Sequence, residues 1–125
     1  MSALLDIRDL DVAVSGQPVL RGVSLTVEAG RVRGLVGESG AGKTMVGRTI
    51  LGIAPGNARI SAGSVRFDGR DITRLEEHER RHLLGKEIAL VPQNPMTALN
   101  PVERIEPQIT DVLRLHLCMS RGDAN

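Results

Sequence analysis

The strongest chemical pattern in the sequence is a glycine-rich run, Gly37-Glu38-Ser39-Gly40-Ala41-Gly42-Lys43-Thr44. It fits the spacing G-x-x-x-x-G-K-[ST] at every fixed position. Glycines let successive backbone N–H groups turn towards an anion, and a helix beginning near Lys43 adds the partial positive charge of its N-terminus. The pattern assigns Lys43 to the β- and γ-phosphates of a nucleotide and the Thr44 hydroxyl to Mg²⁺. We therefore predict a site for ATP with Mg²⁺.

Composition narrows the classes of partner. Aromatic residues make up 1% of the chain and the net charge is +1, so neither stacking nor a basic field suggests nucleic acid. Lys43 and Lys86 are the only lysines among 16 basic residues, and an ammonium is the compact charge that suits a phosphate. The single cysteine, Cys118, excludes an intrachain disulfide. We also expect no signal peptide and no membrane-spanning helix.

The elements around the glycine-rich run predict an α/β fold. Short strands are predicted before residue 28, separated by turns at 15–18 and 28–30. A compact strand at 32–36 leads into the run, and a helix at 44–53 follows it, because apolar residues recur there at helical spacing. An incidental glycine-rich turn is the alternative to a phosphate site, and this strand–loop–helix context disfavours it.

The rest of the chain continues the alternation of strands and helices. Residues 64–72 predict a hairpin with Asp68-Gly69 as its tight turn. Thr73 and Glu76 have capping-box spacing at the start of a charged helix that ends at Gly85. A buried strand is predicted at 88–91, then a proline-rich loop, and a last helix from about 107 to 117. Cys118 beside that helix is expected in the core.

Two stretches resemble the ATPase subunits of ABC transporters. The first is the run from Leu35 to Thr44, and the second is Val91-Pro92-Gln93-Asn94-Pro95-Met96-Thr97-Ala98-Leu99-Asn100-Pro101. The second is similar to the Q-loop of the oligopeptide and dipeptide importer branch, where a Gln precedes an acidic residue and Pro-Met-Thr-small-Leu-Asn-Pro. The resemblance covers nearly the whole chain.

The resemblance implies a P-loop NTPase with a RecA-like core and an N-terminal antiparallel β-subdomain, truncated before the end of the helical subdomain. Residues 1–93 would form the β-subdomain and P-loop core, and residues 94–125 the Q-loop and the start of the helical subdomain. Lys43 and Gln93 would be the catalytic residues of this part, and Gln93 would contact Mg²⁺ and the attacking water.

The implied role is ATP binding and hydrolysis coupled to uptake of peptides or similar solutes. The implied partners are membrane subunits and a second ATPase subunit, at the cytoplasmic face of the inner membrane. The family's signature motif, Walker B acid and switch His do not occur in these residues. We therefore expect an N-terminal fragment or truncated product without turnover of its own, and a non-catalytic nucleotide-binding or interaction module is the alternative.

Some residues depart from the family pattern. Val14 stands where an adenine-stacking aromatic is expected, and Arg33 lies in an otherwise apolar strand, so that it needs a partner or an exposed edge. Pro92 removes an N–H before Gln93, and Asn94 replaces an acid.

A rival motif lies in the charged helix. His78, Glu79 and His82 fit H-E-x-x-H, the pattern of a zinc hydrolase in which Glu79 would be the general base. The stretch around them is charged on all sides, which favours a solvated helix instead.

Overall fold

The computed structural model describes residues 3–120 and 122, and the chain divides into two compact units, residues 1–80 and 81–125. In the first unit, β1 (Ala3–Val14) and β2 (Gln17–Glu28) form an antiparallel hairpin. Its turn, Ser15-Gly16, has positive φ at both residues, 51° and 78°, which suits the right-handed twist of a hairpin. The turn predicted at 15–18 is found at Ser15-Gly16, whereas residues 17 and 18 already belong to β2. The predicted short strands are parts of two longer strands of 12 residues each.

A second hairpin completes the sheet. β3 (Ala58–Phe67) pairs antiparallel with the free edge of β1, and β4 (Arg70–Asp71) adds to β3, giving the order β2-β1-β3-β4. The predicted turn Asp68-Gly69 is confirmed, with φ of 46° and 77°. The antiparallel sheet agrees with the predicted β-subdomain, and its buried side chains include Ile7, Leu10, Val12, Leu20 and Val65.

The predicted helix after the glycine-rich run is α1 (Lys43–Leu51). Val46, Thr49 and Leu51 are its buried residues, and α1 packs against β2. Gly52 ends the helix in a left-handed conformation, with φ 68°. Ile53, which the periodicity assigned to the same face, is 50% exposed.

The predicted strand at 32–36 is wrong. Residues 31–38 have no regular structure, and the side chains of Val32 and Val36 are 99% and 92% exposed. A strand requires a neighbour for its backbone N–H and C=O groups, and none of the four strands in the described part of the chain pairs with this segment. Arg33 is exposed with it and needs no buried partner.

The charged helix is α2 (Glu77–Leu83), and its start differs from the prediction. The Thr73 hydroxyl does not cap the helix, because it accepts a hydrogen bond from the Val65 N–H at 2.8 Å. The Glu79 carboxylate accepts instead from the Glu76 N–H at 3.1 Å. Gly85 follows the helix with φ 84°, as predicted.

The predicted buried strand at 88–91 is also wrong. Ile88 makes a single bridge to Leu84, whereas Leu90 and Val91 are 55% and 91% exposed. No other strand partner for this segment occurs in residues 3–120. A 3₁₀ turn (Pro95–Thr97) and α3 (Ile105–Leu117) follow.

Helix α3 starts two residues before Pro107 and has no buried residue. Cys118 ends it exposed, so its predicted place in the core is wrong. Within the described residues, no helix is both long enough and apolar enough to cross a bilayer.

Candidate functional site

The glycine-rich loop curls immediately before α1. Gly40 and Gly42 have φ of 83° and 87°, a region that residues with a Cβ rarely adopt. The Ala41 N–H donates to the Glu38 carbonyl at 3.1 Å and closes the turn. In α1, the Val46 N–H donates to the Gly42 carbonyl at 3.0 Å, so the N–H groups of the three preceding helical residues have no intrahelical acceptor. Such a loop and helix start can hold an anion.

The Lys43 ammonium lies at this loop. Its Nζ donates to the carbonyl oxygens of Gly37 at 2.8 Å and Glu38 at 2.5 Å. A Cβ added at Gly37 would lie 3.9 Å from Lys43 Cδ, so the lysine stem runs close over the loop. The loop residues Gly37, Glu38, Ser39, Gly40 and Ala41 are exposed, as is Thr44 in the first turn of α1. The structure therefore brings together the predicted phosphate-binding residues, with a positive charge among them.

Gly42 fixes the loop against the sheet. A Cβ at this position would lie 2.6 Å from Leu20 Cδ2 and 3.3 Å from the Val19 carbonyl. The sequence pattern requires glycine here for its backbone angles, and the structure adds a second reason, close contact with β2. The buried Leu20 thus connects the sheet to the position where α1 begins.

Gln93 lies in the second unit and is exposed. Its neighbour Pro92 is half-buried, and its neighbour Asn94 is exposed. The Asn94 Oδ1 accepts from the Met96 N–H at 3.1 Å, and its carbonyl accepts from the Thr97 hydroxyl at 2.9 Å. An aspartate could accept the same N–H bond, so the replacement of an acid by Asn94 keeps the turn. The role of Gln93 towards Mg²⁺ and water stays a prediction, as does the boundary at 93/94.

One residue that orders the loop after Gln93, Gln108, is not predicted by any motif in the sequence. The Gln108 side chain accepts from the Asn100 N–H at 2.8 Å and donates to three backbone carbonyl oxygens of residues 100–104. No local pattern pointed to it, because the partners lie four to eight residues away on an irregular loop.

The H-E-x-x-H residues are exposed on α2, as expected for a solvated helix. The Glu79 carboxylate accepts a backbone hydrogen bond at the start of that helix. Over the described residues, no three His, Cys, Asp or Glu side chains are grouped so that they could hold a metal ion. This geometry offers His78 and His82 no third ligand.

Comparison with known protein families gives the same family that the sequence of the glycine-rich loop resembles. The sequence profile described as ABC transporter matches residues 20–121. The chain belongs to the ABC transporter family. It is 39% identical to the oligopeptide transport ATP-binding protein OppD of Escherichia coli K12, an alignment that covers 98% of this chain and 37% of OppD. The suspected family is thereby confirmed, and family membership implies a P-loop NTPase.

Two further relatives come from the same branch. The chain is 40% identical to the peptide transport system ATP-binding protein SapD of Salmonella typhimurium, over 85% of this chain and 33% of SapD. It is 40% identical to the dipeptide transport ATP-binding protein DppD of Escherichia coli K12, over 75% of this chain and 29% of DppD. The chain thus spans about a third of the length of these relatives, and they are named for peptide transport, as the resemblance to the peptide-importer branch predicted.

Proposed function

We propose that this ABC transporter family chain supplies the nucleotide-binding part of an importer ATPase for peptides or similar solutes. The observation that carries the proposal is the Lys43 ammonium, which the Gly37 and Glu38 carbonyls hold at the loop before α1. The names of OppD, SapD and DppD supply the transported class.

ATP and Mg²⁺ fit the residues that the loop presents. The backbone donors at the start of α1 and the Lys43 ammonium suit a triphosphate, and the exposed Thr44 hydroxyl suits Mg²⁺. Bound Mg²⁺ would neutralise charge that develops on the phosphates. Lys43 would exchange its two carbonyl acceptors for phosphate oxygens, which are stronger acceptors because they are charged.

The finer assignments extend this proposal. Gln93 would contact Mg²⁺ and the attacking water, and the loop after it would lead into the helical subdomain. The family fold would be a RecA-like core with an N-terminal antiparallel β-subdomain, of which this chain carries the first part. The ATPase would work as a dimer with membrane subunits, peripheral to the cytoplasmic face of the inner membrane.

MgATP binding by the chain tests the proposal, and its two lysines give a matched pair. Lys43→Ala should weaken binding by at least about tenfold, because it removes the charge at the loop. Lys86→Ala removes the same charge from an exposed turn in the second unit and should bind as the parent does. Isothermal titration calorimetry measures both. Equal affinity in Lys43→Ala and the parent would refute the proposed site.

A second candidate is a non-catalytic nucleotide-binding or interaction module. The exposure of Val32, Val36 and Val91 favours this module. Exposed apolar side chains on backbone segments without a strand partner can be covered by another protein chain. An ATPase assay of the 125-residue chain separates the candidates. Turnover that falls with Gln93→Ala would rule out the non-catalytic module and would overturn the expectation that these residues have no turnover of their own. MgATP binding without turnover would agree with that expectation.

A further inference from the structure

We propose that Gln108 is a positioning residue that fastens the loop at 94–104 to α3, so that a displacement at Gln93 is carried to α3. The fastening stands on the geometry of the second unit alone. The relay from Gln93 rests on the proposed function.

The fastening is visible in the hydrogen bonds of one carboxamide. Gln108 Oε1 accepts from the Asn100 N–H at 2.8 Å. Gln108 Nε2 lies 3.0 Å from the Asn100 carbonyl oxygen and 3.2 Å from those of Glu103 and Arg104. Since the amide nitrogen has two hydrogens, these three acceptors share them. One side chain near the start of α3 thereby contacts both ends of a five-residue turn.

Asn100 extends the same network. Its Oδ1 accepts from the Val102 N–H at 3.2 Å, and its Nδ2 donates to the Glu103 carboxylate at 3.3 Å. The two amide side chains together hold the backbone of residues 100–104 in one conformation. Gln108 is half-buried, whereas residues 96–107 before it are all exposed.

Apolar packing offers little alternative support for this loop. Met96, Leu99 and Val102 are 84%, 47% and 89% exposed. With so little apolar surface buried, the conformation of the loop depends on its hydrogen bonds. Their loss should therefore loosen the loop while leaving the helix formed.

The position of Gln108 explains why this matters to Gln93. A flexible loop between Gln93 and α3 would absorb a movement of Gln93, whereas a loop fixed to the first turns of α3 transmits it. The Asn94 turn, with its bond to the Met96 N–H, fixes the other end of the loop next to Gln93.

Amide hydrogen exchange on the full chain tests the fastening. Gln108→Met keeps the length of the side chain and removes its donor and acceptor. It should speed exchange at the N–H groups of Asn100 and Val102 by about tenfold, with the last turn of α3 unchanged. Asp111→Asn, an exposed change on the same helix, should leave these rates at the parent value. Rates within twofold of the parent in Gln108→Met would overturn the proposal.

Gln108→Glu adds a pH readout that loss of packing alone would not give. Its carboxylate still accepts from Asn100 but repels the three carbonyl oxygens, and protonation restores one donor. At the Asn100 and Val102 N–H groups, we compare the exchange rate of Gln108→Glu with the parent rate at the same pH. This ratio should fall towards one as pH falls through about 4.3. A ratio independent of pH would overturn the proposed donor role.

MgATP separates the relay from the proposed function. In the parent, binding of MgATP should change the amide exchange rates of α3. Gln108→Met should bind MgATP with the parent's affinity, but its α3 exchange rates should not change on binding. An equal change in both proteins, or none in the parent, would overturn the relay. Failure of the parent to bind MgATP would refute the proposed function and the relay with it, and the Asn100 exchange rates would still decide the fastening.

Discussion

The hairpin of β1 and β2 and the segment at 32–36 are similar in composition, but only the hairpin forms β-strands. Both are rich in β-branched and apolar residues, yet Leu10 and Val12 in β1 are 0% and 1% exposed, whereas Val32 and Val36 are 99% and 92% exposed. In the hairpin, β1 and β2 are joined by a two-residue turn and pair with each other. Residues 32–36 also follow a strand, β2, after a short turn, but they pair with none of the four described strands, so their propensity alone does not make a strand.

The largest expected change in stability comes from replacing one residue in each region with alanine. Leu10→Ala should lower the free energy of unfolding by about 2–5 kcal/mol, since it removes a fully buried side chain. Val36→Ala should change it by less than about 0.5 kcal/mol. Urea unfolding followed by circular dichroism measures both.

Leu10→Ala can leave too little stability for a transition to be measured. A milder core change, Ile7→Val, should then show a loss of about 0.5–1.5 kcal/mol, because Ile7 is 1% exposed. If Val36→Ala cost as much as Ile7→Val, residues 32–36 would be packed in solution and the contrast with the hairpin would be wrong.

The same contrast explains what could be predicted from the sequence. The turns at Ser15-Gly16 and Asp68-Gly69 and the helix after Gly42 depend on residues near in sequence, and they are found where the sequence predicts them. The strands at 32–36 and 88–91 were inferred from apolar composition, which does not say whether a backbone partner is present.

The candidate site divides in a similar way. Its residues were identified because the loop is a contiguous motif with a fixed spacing. The contact of Gly42 with Leu20, and the bonds of Gln108 to residues 100–104, depend on tertiary structure and leave no pattern in the sequence. Thr73 shows the limit of a local rule, because its hydroxyl is engaged by Val65 and is not available for the predicted capping box.

A second comparison sets two glycines of the loop against each other. Both have positive φ, but a Cβ at Gly42 would lie 2.6 Å from Leu20 Cδ2, whereas a Cβ at Gly40 would meet nothing within 4 Å. Gly40→Ala should cost about 1–2 kcal/mol of stability from its backbone conformation. Gly42→Ala should cost about 1 kcal/mol more, since Leu20 must also move. Thermal unfolding of the two variants gives the difference, and equal losses would contradict the close packing.

Two threonines compare a satisfied hydroxyl with one that has no partner. The Thr73 hydroxyl accepts a hydrogen bond from the Val65 N–H at 2.8 Å, whereas the buried Thr49 Oγ1 has no hydrogen-bond partner among the described residues. Thr73→Val should destabilise the chain by about 1–3 kcal/mol, because the N–H of the buried Val65 loses its acceptor. Thr49→Val keeps the shape of the side chain and should raise stability by about 1 kcal/mol. A loss in Thr49→Val, measured by urea unfolding, would show that its hydroxyl is hydrogen-bonded in solution.

The smallest effect concerns the charge at the end of β4. Hydrogen bonds from the Thr73 hydroxyl and then from its N–H hold the pKa of Asp71 below its ordinary value, with weaker help from the charges of Arg66 and Arg74 and some opposition from burial. Because the folded-state pKa is lowered, the Asp71 carboxylate stabilises the fold above the unfolded-state pKa of about 3.9. This contribution is lost as pH falls from there through the folded-state pKa.

Asp71→Asn keeps an acceptor for the Thr73 N–H and removes the charge. Since Asp71 is exposed, solvent screens its charge, and the variant should lose only a few tenths of a kcal/mol near pH 6. Urea unfolding at intervals from about pH 6 to pH 2.5 should show the parent and the variant converging as pH falls from about 3.9 through the lower folded-state pKa, because the parent carboxylate then becomes protonated in both states. A difference that stays constant over this range would mean that Asp71 stabilises β4 by its hydrogen bonds alone, without any contribution from its charge.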